Sequence, residues 1–334
     1  MRRNRIKGNP TEGASNYHCM SRTVNSEWLF AEADREALRE LIWVVAEFCG
    51  VEVVTYVVLS NHFHILLRVP ETVVVASQEV LRRYSVLYPA PSHYRTEQLE
   101  VLRREVEAGT PDGVAWLEKQ RRQMGDVSHY MKILKQRFTV LFNLRHKRHG
   151  TLWAERFKSK LVEEGLALCT TAAYIDLNPV RADLVDDPKD YRFCGYAEAV
   201  AGAGSAQRGL CLAVGKLDWQ TAAEPYRHLL FGAACTPRSK GRVLEVGALL
   251  RVIETGGKLP QHELLRCRLR YLTEGAVLGS ASFVQKHLDK ERQKYNRVRG
   301  LQPKKLPPLT DWGGLTILRR PRAGICLSQP DSRE

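Results

Sequence analysis

The alternation of apolar and polar positions in the N-terminal part of the chain predicts three strands and one helix. Residues 17–24 (YHCMSRTV) alternate as a strand does, and residues 34–49 carry apolar side chains at helical spacing before Gly50. Residues 51–60 and 62–69 are rich in β-branched and aromatic side chains. We therefore expect a strand, a helix and two strands joined by a tight turn.

The following residues predict further helices and one more strand. Residues 71–125 have a charged helical pattern, residues 127–144 an amphipathic one, and residues 156–163 predict a strand. A helix over 166–178 follows, which Pro179 stops. The order β-α-β-β-α-β-α, with a helical insert at about 71–125, predicts an α+β fold. We expect a ferredoxin-like antiparallel sheet (βαββαβ) with helices on one face.

Small residues without periodicity at 201–209 predict a linker between two domains, 1–200 and 210–334. The second domain is expected to be basic and mainly helical, with helical patterns that include 241–255 and a terminal basic tail. Patterns at 261–272 and 281–295 flank a glycine-containing turn, the outline of a helix-turn-helix. A DNA-reading module and a simple packing module both remain open. Its nearby cations are Arg266, Arg268, Arg270, Lys286 and Lys290.

Composition and charge limit the classes of binding partner that the chain can have. Hydrophobic residues make up 44% of the 334, so a packed core is expected rather than disorder. Lys and Arg exceed Asp and Glu by 51 to 37, a net charge of +14, which favours a polyanionic partner, nucleic acid ahead of an acidic membrane surface. No secretory signal or membrane-spanning apolar run is present, so the cytoplasm is the expected location. The eight scattered cysteines form no CxxC pair and are expected to stay reduced.

Two histidines separated by one residue are the first candidate for chemistry. His62 and His64 lie on a predicted strand, so they project to the same face while Phe63 points to the other. Adjacent imidazoles can hold one divalent cation, with a third ligand from elsewhere. A pair of histidines on a polar sheet face is an equally open interpretation.

Tyr174 and Asn178 are the second candidate. Their i to i+4 spacing on the helix predicted over 166–178 stacks both side chains on one face. A phenol and an amide oxygen could then approach one phosphate together. From spacing alone, a half-buried helix aromatic is the simpler interpretation of Tyr174.

Five segments together resemble a known family. YHCMSRTVNSEWLF, LSNHFHILLRVP, LKQRFTVLFNLRHKRHGTLWAERFKS, AAYIDLNPVRADLV and DYRFCGYAEAV occur in this order and span most of residues 15–200. In these segments the chain resembles the REP-associated tyrosine transposases. They are single-tyrosine transposases of the HUH class, named for two histidines around a hydrophobic residue.

The resemblance implies a catalytic domain and assigns roles to its residues. It implies that His62 and His64 bind Mg²⁺ or Mn²⁺, that Tyr174 is the nucleophile, and that Asn178 is a third metal ligand. The implied activity is that of a metal-dependent single-strand DNA transposase or nickase, cytoplasmic and nucleoid-associated. The resemblance further implies that the protein cleaves and rejoins single-stranded DNA beside hairpins, which are REP-like palindromes, through a 5′-phosphotyrosine. Asp176 or bound water could accept the tyrosine proton, and monomer and homodimer both remain open.

A basic run with interleaved aromatics is the predicted DNA contact. Cations for phosphates and rings for bases are what single-stranded DNA binding uses. Trp153 and Phe157 are expected to belong mainly to the core. The candidate DNA-binding residues are Arg137, Arg145, Lys147, Arg148, Arg156, Lys158 and Lys160.

Two rival functions follow from the same residues. One is a catalytically silent regulator, derived from such a transposase, that binds DNA or RNA hairpins without cutting them. The other is an HxH hydrolase that uses His62 and His64 for zinc. That class needs an eightfold βα repeat, which the pattern does not contain.

Overall fold

The computed structural model describes residues 5–9, 11–71, 74–89, 93–233, 257–294 and 301–319. The strands are β1 (Ser15–Arg22), β2 (Glu52–Val58), β3 (His62–Val69), β4 (Lys158–Val162), β5 (Val277–Gly279), β6 (Gln302–Lys305) and β7 (Thr316–Arg319). The helices are α1 (Glu32–Cys49), α2 (Ser77–Leu87), α3 (His93–Glu107), α4 (Pro111–Arg121), α5 (Val127–His146), α6 (Leu166–Asp176), α7 (Asn178–Arg181), α8 (Gly195–Val200), α9 (Gly204–Val214), α10 (Trp219–Phe231), α11 (Gln261–Leu265), α12 (Arg270–Thr273) and α13 (Ala281–Lys294). Short 3₁₀ turns occur at Val24–Ser26 and Pro188–Asp190.

The first four strands form an antiparallel sheet in the order β2-β3-β1-β4. α1 connects β1 to β2, and α5 precedes β4 after the helical insert α2 to α4. This is the order of the predicted ferredoxin-like sheet. Gly50 ends α1 with φ of 63°, a left-handed conformation that glycine adopts without steric cost.

The register of β1, β2 and β3 separates the residues of the two faces. On one face α1 packs through Trp43 on Tyr56 of β2, with ring centroids 6.1 Å apart. α5 joins it there, since the Tyr130 hydroxyl donates to the Ile42 carbonyl of α1 at 3.1 Å. On the opposite face, the Thr55 hydroxyl of β2 donates to Asp176 of α6 at 2.6 Å. The helices of the βαββαβ unit thus share one face, as predicted, and α6 covers the other.

The C-terminal region extends the same sheet. β5 pairs in parallel with β4, and β7 and β6 follow, so the sheet has seven strands. The prediction of a mainly helical appendage missed these three strands. The helix-turn-helix prediction is also wrong, because β5 lies between α12 and α13 and its residues 277–279 are fully buried in the sheet.

The segment predicted as a linker is a packed helix instead. α9 begins at Gly204 and buries Ala206, Gly209 and Leu210. A Cβ at Gly209 would lie 2.3 Å from the Val53 carbonyl oxygen of β2, so the small residue permits close packing. The small residues here therefore indicate close contact, not chain flexibility.

The helical pattern predicted at 241–255 lies outside the described residues. The basic tail predicted after residue 295 is described only over 301–319, where it forms β6 and β7 of the sheet. The division into two domains stays a prediction. Within the described ranges, no helix has the length and apolar character needed to cross a membrane.

Candidate active site

His62 and His64 begin β3 and project to the face that α6 covers. Their ring centroids are 5.3 Å apart. Phe63 points to the other face, is fully buried, and packs edge-on against Trp153 at 5.5 Å. The alternation predicted from the sequence therefore places the two imidazoles side by side.

Each imidazole has its Nδ1 atom engaged by a neighbour. Nδ1 of His62 lies 2.6 Å from Oδ1 of Asn61, an acceptor, so this nitrogen carries the proton. Nδ1 of His64 lies 2.9 Å from Nε2 of His18, and the two rings share a proton. Because Nδ1 of His62 carries the proton, Nε2 of His62 has a free lone pair. When Nδ1 of His64 donates its proton to His18, Nε2 of His64 has a free lone pair as well. Two Nε2 atoms can then serve one cation.

Burial keeps the three imidazoles neutral. Loss of hydration, with smaller contributions from nearby cations, lowers the pKa of His62 to about 3 and that of His18 to about 3. The pKa of His64 is lowered well below its usual value, again mainly by burial. Neutral imidazoles are the form that binds a metal, so these residues suit that role at neutral pH.

His18 is a residue that the sequence interpretation missed. It is fully buried on β1, where it lies opposite Leu66 of β3 and Lys160 of β4. Its place in the alternation of β1 could have indicated the same face as His62 and His64, but only with the pairing of β1 and β3 known.

Tyr174 lies on α6, and neighbours cover it on the same side of the sheet. Only 2% of its surface is exposed. The guanidinium of Arg181 lies 3.8 Å from the centre of its ring and also donates to the Tyr174 carbonyl at 2.6 Å. Arg181 further donates to the Leu265 carbonyl of α11 at 2.8 Å. A phosphate therefore reaches the phenol only when part of this cover moves.

Arg181 connects the tyrosine with the histidines. Its charge contributes to the lowered pKa of both His62 and His64, while its guanidinium stacks on Tyr174. Arg22 lies opposite His62 in the register of β1 and β3 and adds a second positive charge. The site thus combines neutral imidazoles, a phenol and guanidinium groups, a set suited to binding a phosphodiester.

Asn178 follows α6 at the start of α7. Its Nδ2 atom is buried and has no hydrogen-bond partner. An unpartnered buried amide fits a ligand role, because rotation of the amide can present its Oδ1 to a cation. In the described residues, no group of three or more His, Cys, Asp and Glu could hold a metal. A cation at His62 and His64 would therefore need an oxygen ligand from an amide or from water, and the assignment of Asn178 as that ligand stays a prediction.

Asp176 points away from Tyr174. Its carboxyl accepts from the Thr55 hydroxyl at 2.6 Å, from the Tyr226 hydroxyl and from the Cys194 thiol. Burial raises its pKa to about 6. Asp176 therefore anchors α6 to β2 and α10, and it does not face the phenol as a proton acceptor.

The candidate DNA contacts are dispersed, and one of them is wrong. Lys160 is fully buried on β4, where its Nζ donates to the Tyr271 carbonyl at 2.8 Å, so it does not face solvent. Tyr271 belongs to α12, so a helix of the C-terminal region supplies the partner of this buried lysine. Lys158 pairs with Glu155 at 2.8 Å and Arg145 with Asp34 at 2.8 Å.

The other four predicted contacts lie along α5 and the segment after it. Arg137 stacks on Tyr88, and Arg148 lies 5.8 Å from the ring of Phe142. Lys147 ends α5 in a left-handed conformation, and Arg156 is exposed. These cations stay candidates for phosphate contact.

A match to a family model agrees with the resemblance at a coarse level. Residues 12–83 match the family model "Transposase IS200 like", and this range contains His18, His62 and His64. A solved structure described as a REP-associated tyrosine transposase bound to a REP hairpin aligns with 60% of this chain and 85% of its own, at 18% identity and a TM-score of 0.38. No curated protein sequence matches. Over residues 12–83 the chain is thus similar to the IS200-like transposases, and this confirms the family resemblance found in the sequence.

Proposed function

We propose that the chain is a metal-dependent single-strand DNA transposase that cleaves and rejoins DNA beside palindromic hairpins. The observation that carries this proposal is the position of Arg181, whose guanidinium lies 3.8 Å from the ring centre of Tyr174 and whose charge also contributes to the lowered pKa of His62 and His64. The match to IS200-like transposases supports the same class of reaction.

In the proposed reaction the Tyr174 phenol oxygen attacks the phosphorus. The bond from phosphorus to the 3′ oxygen breaks, and the phosphate stays on the 5′ side as a phosphotyrosine. The phenol proton passes to solvent, and the leaving 3′ oxygen takes a proton from water. The ester bond is exchanged, not hydrolysed, so a later 3′-OH can reverse the attack and rejoin strands.

The chain's own residues supply position and charge. His62, His64 and Asn178 would hold a Mg²⁺ or Mn²⁺ ion, which when bound makes the phosphate more electrophilic. The guanidiniums of Arg22 and Arg181 attract the phosphodiester to the same place. Arg181 also fixes the plane of the Tyr174 ring.

The test is incubation of the full chain with labelled single-stranded hairpin DNA and Mn²⁺. We expect a denaturation-resistant protein–DNA adduct and a nicked strand. Tyr174→Phe should abolish both and leave hairpin binding intact, and Tyr88→Phe, an exposed tyrosine, should behave like the unchanged protein. Binding without cleavage in the unchanged protein would instead identify a silent hairpin-binding regulator.

A further inference from the structure

A groove lies on the sheet face opposite the histidines. It runs between Arg5, the first part of α5 and residues 153–157, and its volume is about 790 Å³. Cavities of this size commonly hold organic ligands. Trp153 forms part of its wall and packs on Phe63, whose side chain points away from the face of His62. The groove is therefore distinct from the candidate active site.

The charged side chains that line the groove are basic, and no Asp or Glu contributes to its described lining. They are Arg5, Lys132, Lys135 and Arg156, with His129 beside them. Burial lowers the pKa of Arg5, and the charge of Arg156 lowers it further. Burial and Arg5 together lower the pKa of Lys135 to about 8. The charges of Asp126 and Glu155 offset these shifts only in part, so the groove keeps an excess of positive charge that favours an anionic ligand.

Two aromatic rings give the groove flat surfaces. The guanidinium of Arg5 stacks on Phe157 with 3.6 Å to the ring centre, and it donates to the Phe157 carbonyl at 3.0 Å. Lys135 lies 5.1 Å from the ring centre of Trp153, whose Nε1 donates to Thr139 at 2.9 Å. A guanidinium held flat on a ring is a platform on which a nucleobase can stack.

We infer that this groove binds single-stranded DNA, with phosphates on Lys132, Lys135 and Arg156 and a base on the Arg5–Phe157 stack. The inference rests on the proposed function for the choice of DNA as the polyanion, and it adds a second contact region. Of the groove cations, Arg156 alone belongs to the DNA contacts predicted from the sequence. The groove holds an unpaired part of the strand, since its rings can stack only on bases that are free of a partner.

The experiment measures binding of a labelled oligothymidylate without a hairpin to the full chain at several salt concentrations. The variant Lys132→Gln/Arg156→Gln changes two exposed side chains. We expect the slope of log K against log salt to become shallower by about 1.4, because each lost single-strand phosphate contact changes it by about 0.7. Lys119→Gln/Lys216→Gln, which removes two charges from exposed lysines outside the groove lining, is the matched control. If the double variant keeps the slope of the control, the groove does not bind DNA.

A second arm tests the stacking platform. An oligonucleotide with abasic positions should bind the unchanged protein at least about fivefold more weakly than oligothymidylate, because stacking of a base is lost. Arg5→Ala should remove that difference. Equal binding of the two oligonucleotides to the unchanged protein, or a preference that persists in Arg5→Ala, would overturn the base-stacking role.

Adduct formation with hairpin DNA separates the two proposals. The single variant Lys132→Gln, at a groove residue that is not among the DNA contacts predicted from the sequence, should still form the Tyr174 adduct at saturating DNA, because the groove lies outside the candidate active site. If the unchanged protein binds oligothymidylate through the groove but forms no adduct, the groove stands and the proposed transposase reaction fails.

Discussion

Replacing His18 by alanine removes the group that holds the imidazole of His64. The 2.9 Å hydrogen bond between His18 Nε2 and His64 Nδ1 fixes the orientation of that ring, and both side chains are buried. Loss of a partner that orients a metal-ligating histidine typically weakens metal binding by 10–100-fold. This corresponds to about 1.4–2.7 kcal/mol of binding free energy. We expect a Mn²⁺ affinity lower by this factor in His18→Ala.

The assay measures the affinity of the full chain for Mn²⁺ in the absence of DNA, with electron paramagnetic resonance or calorimetry as the method of detection. Cys19→Ala is the matched control, because Cys19 is the next residue of β1, fully buried and directed to the opposite face. Both variants lose buried atoms, so unfolding in urea shows whether each remains folded. His18→Gln, which retains a polar group, should lose less affinity. Equal Mn²⁺ affinity of His18→Ala and Cys19→Ala would refute the orienting role of His18.

Three further predictions concern stability. Burial lowers the pKa of His18, His62 and His64, so below about pH 6.5 these residues bind protons in the unfolded state but not in the folded state. The pKa of Asp176 is raised to about 6, so this residue instead binds its proton first in the folded state. Near pH 5 the unfolded state therefore binds about two protons more than the folded state, and the free energy of unfolding should fall by roughly 3 kcal/mol for each pH unit of acidification. A free energy from urea unfolding that does not change with pH in this range would contradict this. Burial lowers the pKa of Lys160 to about 7, so above pH 7 the unfolded state binds one more proton at this residue than the folded state. The free energy of unfolding should then rise from pH 7 toward 10 by about 1 kcal/mol per pH unit more than in Lys160→Met, and identical slopes would refute the lowered pKa of Lys160. Gly209→Ala should cost about 1–3 kcal/mol in urea unfolding, since its Cβ would collide with the Val53 carbonyl, and an unchanged midpoint would show that α9 can shift away from β2.

The succession of the first four strands and their helices along the chain was predictable, because each element carries a local periodic pattern of apolar residues. The HxH arrangement was predictable for the same reason, since alternation alone places Phe63 opposite to its two neighbours. His18 was not, because its role depends on the pairing of two strands more than forty residues apart, with His18 and His64 separated by 46 positions. Charge alone could not show that Lys160 is buried, since its hydrogen-bond partner Tyr271 lies 111 positions away on α12.

Small residues misled the interpretation in a different way. The glycines and alanines of 201–209 resemble a linker in composition, but Gly209 allows α9 to approach the backbone of β2. The turn between the helical patterns near 272–281 has the composition of a helix-turn-helix. Its Val277 and Leu278 instead pair with β4, which is a tertiary contact that local pattern cannot show.

The most direct measurement of the central claim is the site of covalent attachment to DNA. The full chain is incubated with single-stranded hairpin DNA and Mn²⁺, the adduct is digested with protease and nuclease, and the modified peptide is sequenced by mass spectrometry. The account predicts a nucleotide linked through its 5′ phosphate to Tyr174. A nucleotide on another tyrosine, or on none while the DNA is nevertheless cut, would contradict it.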